Sequence, residues 1–174
     1  YNRGNNKQDI FLDNEDFRFF LLRLRQNLLP SNDVKVRIKP LPANSFSLLT
    51  YNLMPNHFHF LLRQNSNIPT TKLILKVCTS YSMYFNKKYK CLGQVFQDQY
   101  KQVVIGDERY LKWLSAYIHQ NSKVAGLVDN LEDYPWSSYP DFIGARNDNL
   151  CNVKMILEQF ESRDDFKSFV EGSF

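Results

Sequence analysis

Apolar residues recur every three to four positions between residues 13 and 29, at Phe17, Phe20, Leu21, Leu24 and Leu28. They follow Asp13 and Asn14 as caps and an acidic first turn at Glu15 and Asp16. That spacing predicts an amphipathic helix, which Pro30 stops. Residues 31–45, broken by Pro40 and Pro42 and carrying Lys35, Arg37 and Lys39, are predicted to be a connecting loop with one short strand. Two apolar runs, 46–53 and 57–63, flank Met54, Pro55 and Asn56, which is the chemistry of a tight hairpin. The second run alternates, so His57, His59 and Leu61 project from one face and Phe58, Phe60 and Leu62 from the other. A second amphipathic helix is predicted over 70–88, and a strand, a polar turn and another strand over 93–105. Asp107 caps a third helix running to Asn121, with Ala125, Gly126 and Leu127 marking its exit. After a loop containing Pro135, Pro140 and Gly144, helical patterns return over 153–160 and 164–170. The elements define an α+β fold, an antiparallel sheet with helices packed on it and a helical tail at the C-terminal end.

The chain has 174 residues, 43% hydrophobic and 23% charged, a composition that suits one compact domain and excludes a disordered chain. Its seventeen asparagines are compositional bias rather than disorder, because aromatic and aliphatic residues run through the whole sequence. No run approaches the roughly 18 apolar residues of a membrane span, and no secretory pattern opens the chain. The expectation is therefore a soluble intracellular protein without a membrane partner. The chain opens on Tyr1 rather than Met, the start expected of a segment of a longer gene product. Cys78, Cys91 and Cys151 are widely spaced and include no Cys-x-x-Cys pair, which argues against a disulfide framework or a zinc cluster.

Charge is divided along the chain. Residues 1–128 carry 18 basic against 8 acidic side chains, whereas residues 129–174 carry 4 against 10. Within 63–101, Arg63, Lys72, Lys76, Lys87, Lys88, Lys90 and Lys101 face Asp98 alone, the footprint expected for a polyanion and equally that of a solvated helix face.

His57 and His59 bring two imidazoles to one strand face roughly 7 Å apart, close enough to share an ion. The same pair also fits two half-exposed histidines in a sheet. A metal site needs a third ligand, and Asn121 or Gln120 on the third helix offers one. Tyr117 shares a helix face with Trp113 and Asn121, and it reads either as a nucleophile beside that ion or as a packed ring. Leu111, Leu114 and Ile118 form the stripe suited to the core.

The segment Met54-Pro-Asn-His57-Phe-His59-Phe-Leu-Leu resembles the HUH signature of single-tyrosine transposases, in particular the REP-associated tyrosine transposases. Further segments agree in the family's order: Asn2-Arg3-Gly4-Asn5, Gly93-Gln-Val-Phe-Gln97 with Tyr100-Lys101, Tyr117-Ile-His-Gln-Asn121 running into Val124-Ala-Gly-Leu-Val128, and Tyr134-Pro-Trp-Ser-Ser-Tyr139. The resemblance spans residues 2–144. It implies a ferredoxin-like (RRM-like) HUH catalytic domain over 1–144, with the acidic helical tail over 145–174.

The resemblance further implies that His57 and His59 bind a divalent cation, Mg²⁺ or Mn²⁺, with Asn121 at the place of a metal-binding glutamine in related insertion-sequence enzymes. Tyr117 becomes the nucleophile. The implied reaction cleaves and rejoins single-stranded DNA, often beside a hairpin, through a 5′-phosphotyrosine link and a released 3′-hydroxyl. Because the ester conserves bond energy, no nucleoside triphosphate is needed, and the chain has no Walker-type glycine-rich loop. DNA binding then falls to Lys72, Lys76, Lys87, Lys88 and Lys101 at phosphates and Arg3 at bases, with Tyr81 available to stack on unpaired nucleotides. The implied setting is the bacterial cytoplasm, in association with the nucleoid, and the implied state a monomer or homodimer. The sequence departs from the family at Ser122, where proline is usual, and in 31–45. Two other readings compete with this one: a DNA-binding protein without turnover, and a metal-dependent nuclease that uses water.

Overall fold

The computed structural model describes residues 1–29 and 40–173. Among the described residues three strands and six α-helices follow in order: β1 (Asn2–Arg3), α1 (Asn14–Leu28), β2 (Phe46–Met54), β3 (His57–Gln64), α2 (Thr70–Tyr89), α3 (Glu108–Val124), α4 (Tyr139–Phe142), α5 (Lys154–Leu157) and α6 (Arg163–Gly172), with short 3-10 turns at Asn5–Lys7 and Leu131–Asp133. Among the described residues the strands form one antiparallel sheet in the order β1-β3-β2, so the histidine strand is central. The short strand predicted within 31–45, with Lys35, Arg37 and Lys39, falls largely outside the described residues. No described helix is long and apolar enough to cross a membrane.

The chain divides into two compact units, and the β2–β3 hairpin contributes residues to both. In the first unit, the Asp13 carboxylate accepts from the amides of Glu15 and Asp16, and the Asp16 side chain answers at the cap backbone. This reciprocal cap starts α1 where the sequence predicts it. The apolar stripe Phe17, Phe20, Leu24 and Leu28 is buried together with Leu73, Val77 and Tyr81 of α2. Gly4 ends β1 at a place where no side chain fits, because a Cβ would lie 2.1 Å from the carbonyl oxygen of Gln8. Its amide donates to Asn56 O at 2.7 Å, which ties the amino-terminal segment to the hairpin turn.

In the second unit, α3 and α6 share a core of Leu49, Leu61, Ala116, Ile118, Phe142, Phe166 and Val170. Leu61 and His59 lie on the same face of β3, and α3 packs against that face at these two residues. The residues 134–139 singled out in the sequence build the edge of β2: Leu53 N donates to Trp136 O, Ser138 N to Tyr51 O, and the Tyr134 hydroxyl to Leu53 O at 2.6 Å. The acidic C-terminal segment belongs to this unit, with Phe166 and Val170 fully buried.

The two strands predicted over 93–105 are absent. That segment contains no named strand and pairs with the amino-terminal residues at the isolated bridge between Gly4 and Phe96 and through backbone bonds between Tyr1 and Lys101. Val95 and Phe96 are buried, but Val103 and Val104 are 75% and 91% exposed. β-branched residues favour a strand when a neighbouring strand covers them, and here none does.

Candidate active site

The second unit brings Tyr117 and His59 together. Their rings meet edge to face with centroids 5.9 Å apart and planes at 87°. Tyr117 is half-buried on α3, and β2 sets the position of that helix. Thr50 Oγ1 and Ser115 Oγ lie 3.1 Å apart, and Asn52 Nδ2 donates to Ile118 O at 2.9 Å, all of them buried. Asparagine and threonine in the middle of an otherwise apolar strand are explained by these bonds, since a buried polar group must be paired.

Asn121 lies one turn beyond Tyr117. Its Nδ2 donates to Tyr117 O at 2.7 Å, so its Oδ1 is the atom of that amide suited to a hard cation. Gln120, the other candidate, is buried and donates to Val170 O at 2.6 Å, which commits it to α6. His119 is also structural: Nε2 lies 2.9 Å from Ser138 Oγ, and burial drives the pKa down to about 3.

His57 opens β3 in the first unit. Its Nδ1 lies 2.5 Å from Asn56 Oδ1, while Asn56 Nδ2 donates to Lys7 O at 3.2 Å and so fixes which end of the amide faces the ring. The imidazole therefore carries its proton on Nδ1 and presents Nε2 as the lone pair. Burial, followed by the positive charges of Arg3 and the amino terminus, lowers the His57 pKa to about 4, which keeps the ring neutral. The sequence shows Asn56 as part of a turn and of the family's motif, but gives it no role of its own.

By type, these donors suit a divalent cation. Neutral imidazoles and an amide oxygen are ligands of Mn²⁺ or Mg²⁺, and the sequence separation of two places His57 and His59 on one face of β3. Among the described residues no group of three or more His, Cys, Asp or Glu is arranged to hold a metal. Cys78, Cys91 and Cys151 are thiols rather than disulfides.

The other tyrosines differ from Tyr117. Tyr81 is fully buried, its hydroxyl donates to Ile10 O and its ring packs on Phe11, Phe20 and Phe96, so it is not available to stack on DNA. The hydroxyls of Tyr134 and Tyr139 bond to Leu53 O and Glu171, and burial raises both pKa values.

The predicted DNA-binding cations do not all stand alike. Lys72, Lys87 and Lys101 are exposed and Lys76 is half-buried on α2. Arg3 is half-buried on β1, near enough to His57 for its charge to act on the ring. Lys88 is different: its ammonium lies within 2.9 Å of carboxylate oxygens of Asp13, Glu15 and Asp16.

Comparison with known proteins agrees with this architecture. A solved structure described as a REP-associated tyrosine transposase bound to a REP hairpin matches with a TM-score of 0.58, covering 87% of this chain and 79% of that one at 14% identity, a likeness that shows the fold. No curated protein matches the chain significantly. Residues 32–121, just over half of the sequence and including both β3 histidines, Tyr117 and Asn121, match the family described as transposase, IS200-like. The chain belongs to the IS200-like transposase family.

Proposed function

We propose that this protein cleaves and rejoins single-stranded DNA beside a hairpin, with Tyr117 as nucleophile and His57, His59 and Asn121 as ligands of Mg²⁺ or Mn²⁺. The edge-to-face pairing of His59 with Tyr117 carries the reading, because it sets a nucleophile beside an imidazole in a family of transposases. The solved relative bound to a REP hairpin supports hairpin DNA as the partner.

In the cleavage step the Tyr117 oxygen attacks phosphorus, the bond from phosphorus to the 3′ oxygen breaks, and that oxygen takes up a proton to leave a 3′-hydroxyl. The 5′ phosphate stays on Tyr117 as an ester. Rejoining reverses the exchange: a 3′-hydroxyl attacks the ester, and the phenol is regenerated. A phenol has an ordinary pKa near 10, so the proton must leave as the oxygen attacks. A bound divalent cation supplies positive charge to a non-bridging phosphate oxygen. Asn56 holds His57 in the tautomer that leaves Nε2 bare, and Asn52 fixes the α3 backbone next to Tyr117. Lys72, Lys76, Lys87, Lys101 and Arg3 neutralise the DNA backbone.

Incubation with a labelled single-stranded DNA hairpin and Mn²⁺, followed by a denaturing gel, tests this. The expected result is a protein–DNA adduct that Tyr117→Phe abolishes. Cleavage without an adduct would point instead to a nuclease using water, and binding without cleavage to a DNA-binding protein without turnover.

A further inference from the structure

We propose that Tyr110 and Trp113 form a stacking platform for an unpaired nucleobase adjoining Tyr117. The proposal deepens the reading above, because it rests on single-stranded DNA being the substrate.

Three aromatic rings line one face of α3. Tyr110 and Trp113 are stacked with centroids 5.8 Å apart and planes at 13°; Trp113 and Tyr117 are stacked at 5.4 Å and 12°. The spacing of three and then four residues keeps the rings on one side of the helix. Leu111, Leu114 and Ile118 turn to the core cluster, and of the aromatic row only Tyr117 packs against it, so Tyr110 and Trp113 are not what holds α3 in place. Its outer members are open to solvent, Tyr110 at 39% and Trp113 at 42%. The inner end closes on His59 through Tyr117.

The occupant is identified by shape and charge. Nearly coplanar π-faces with the spacing of offset stacks can be extended by any base, which gives binding that tolerates sequence. Arg109, exposed and one turn before Trp113, supplies a cation on the same side for the adjoining phosphate. Glu108 lies about 140° round the helix from Trp113 at 100° per residue, away from that side. The Asp107 carboxylate faces inward to the helix, accepting from Arg109 N at 2.9 Å. A base added to the solvent-open part of this offset row brings its backbone to the face of α3 that bears Tyr117. The platform thus sets which phosphate is presented, while the bases supply affinity without being read.

The test uses the whole chain, a dT oligonucleotide and a chain of abasic residues of the same length and charge. Tryptophan emission is expected to be quenched by dT and not by the abasic chain, and the quenching to disappear in Trp113→Phe, which retains Trp136. Trp113→Ala is expected to weaken dT binding about 10-fold or more while leaving abasic binding unchanged. Equal affinity for the two chains, or unaltered dT affinity in Trp113→Ala, overturns the platform. If the Tyr117-dependent adduct still forms, the function proposed above survives that failure; absence of both adduct and DNA binding in the unaltered protein removes the function and the platform together. Loss of self-association in Trp113→Ala with dT affinity intact would assign the row to a contact between copies of the chain, which also overturns the proposal.

Discussion

The rings of His59 and Tyr117 meet edge to face, 5.9 Å apart between centroids. A contact between rings survives removal of the phenol oxygen, so packing and chemistry can be separated. Tyr117→Phe is expected to keep the contact, melt within about 2 °C of the parent and bind hairpin DNA as tightly, yet form no adduct. Thermal melting, a binding titration and a denaturing gel check the three parts, and an adduct in the variant would refute the assignment of the nucleophile.

Asn56 is expected to matter to the metal although it does not touch it. Asn56→Ala frees the His57 ring to change tautomer and should lower Mn²⁺ affinity by about 10-fold or more, measured calorimetrically in the absence of DNA. Asn56→Asp, which still accepts from Nδ1, should restore most of it. Undiminished affinity in the alanine variant would show that the 2.5 Å contact is incidental.

Three lysines of one helix should not behave alike. Lys88 neutralises a cluster built round one buried carboxylate, since Asp16 is fully buried and accepts from Leu12 N, Tyr84, Tyr89 and Lys88, while Asp13 and Glu15 beside it are exposed. Lys88→Ala should cost about 3 kcal/mol of stability and leave the salt dependence of DNA binding unchanged. Lys72→Ala or Lys87→Ala should do the reverse, reducing the slope of log affinity against log salt by about 0.7 per lost phosphate contact. A flattened slope in Lys88→Ala alone would invert the assignment.

The same cluster predicts acid sensitivity. For Asp16, burial raises the carboxyl pKa, but bonds from Lys88, Leu12 N, Tyr89 and Tyr84 outweigh it and leave the pKa below 3.8. For Asp13, the hydrogen bond from Lys88 is the largest lowering cause. Folded carboxyls that hold protons more weakly than unfolded ones contribute stability that is fully present above the ordinary value. That contribution is lost as the pH falls through the lower, folded one. Urea midpoints should therefore fall below about pH 4. Asp16→Asn, though less stable at neutral pH, should show a flatter decline, and a parallel decline would place the sensitivity elsewhere.

Local rules carried much of the fold. The capping box of Asp13 and Asp16, the Pro55-Asn56 turn and the Asp107 cap are each written within a few residues, and α1, the hairpin, α2 and α3 begin and end close to where those signals fall. Failures came where a distant partner decides. Val103 and Val104 look like strand residues until no neighbouring strand is found to cover them. Lys88 looks like a phosphate ligand until Asp13 arrives from 75 residues away. Tyr81 looks as available for stacking as Tyr110, and only the tertiary packing of α1 against α2 buries one and leaves the other open. At the candidate site, the shared strand face of the two histidines was legible from alternation, whereas the role proposed for Tyr117 came from the family's motif. The ring of His59 beside it is a feature of the folded unit alone.

The histidines lie on the middle strand of the sheet, with β1 on one side and β2 on the other. In deuterated solvent the β3 amides near His59 should be among the last to exchange, well after those at the exposed start of α3. If the proposed ion binds, such a backbone has no need to reorganise, so loading should leave the exchange pattern of this strand nearly unaltered while any adjustment appears in α3, which bears the proposed nucleophile.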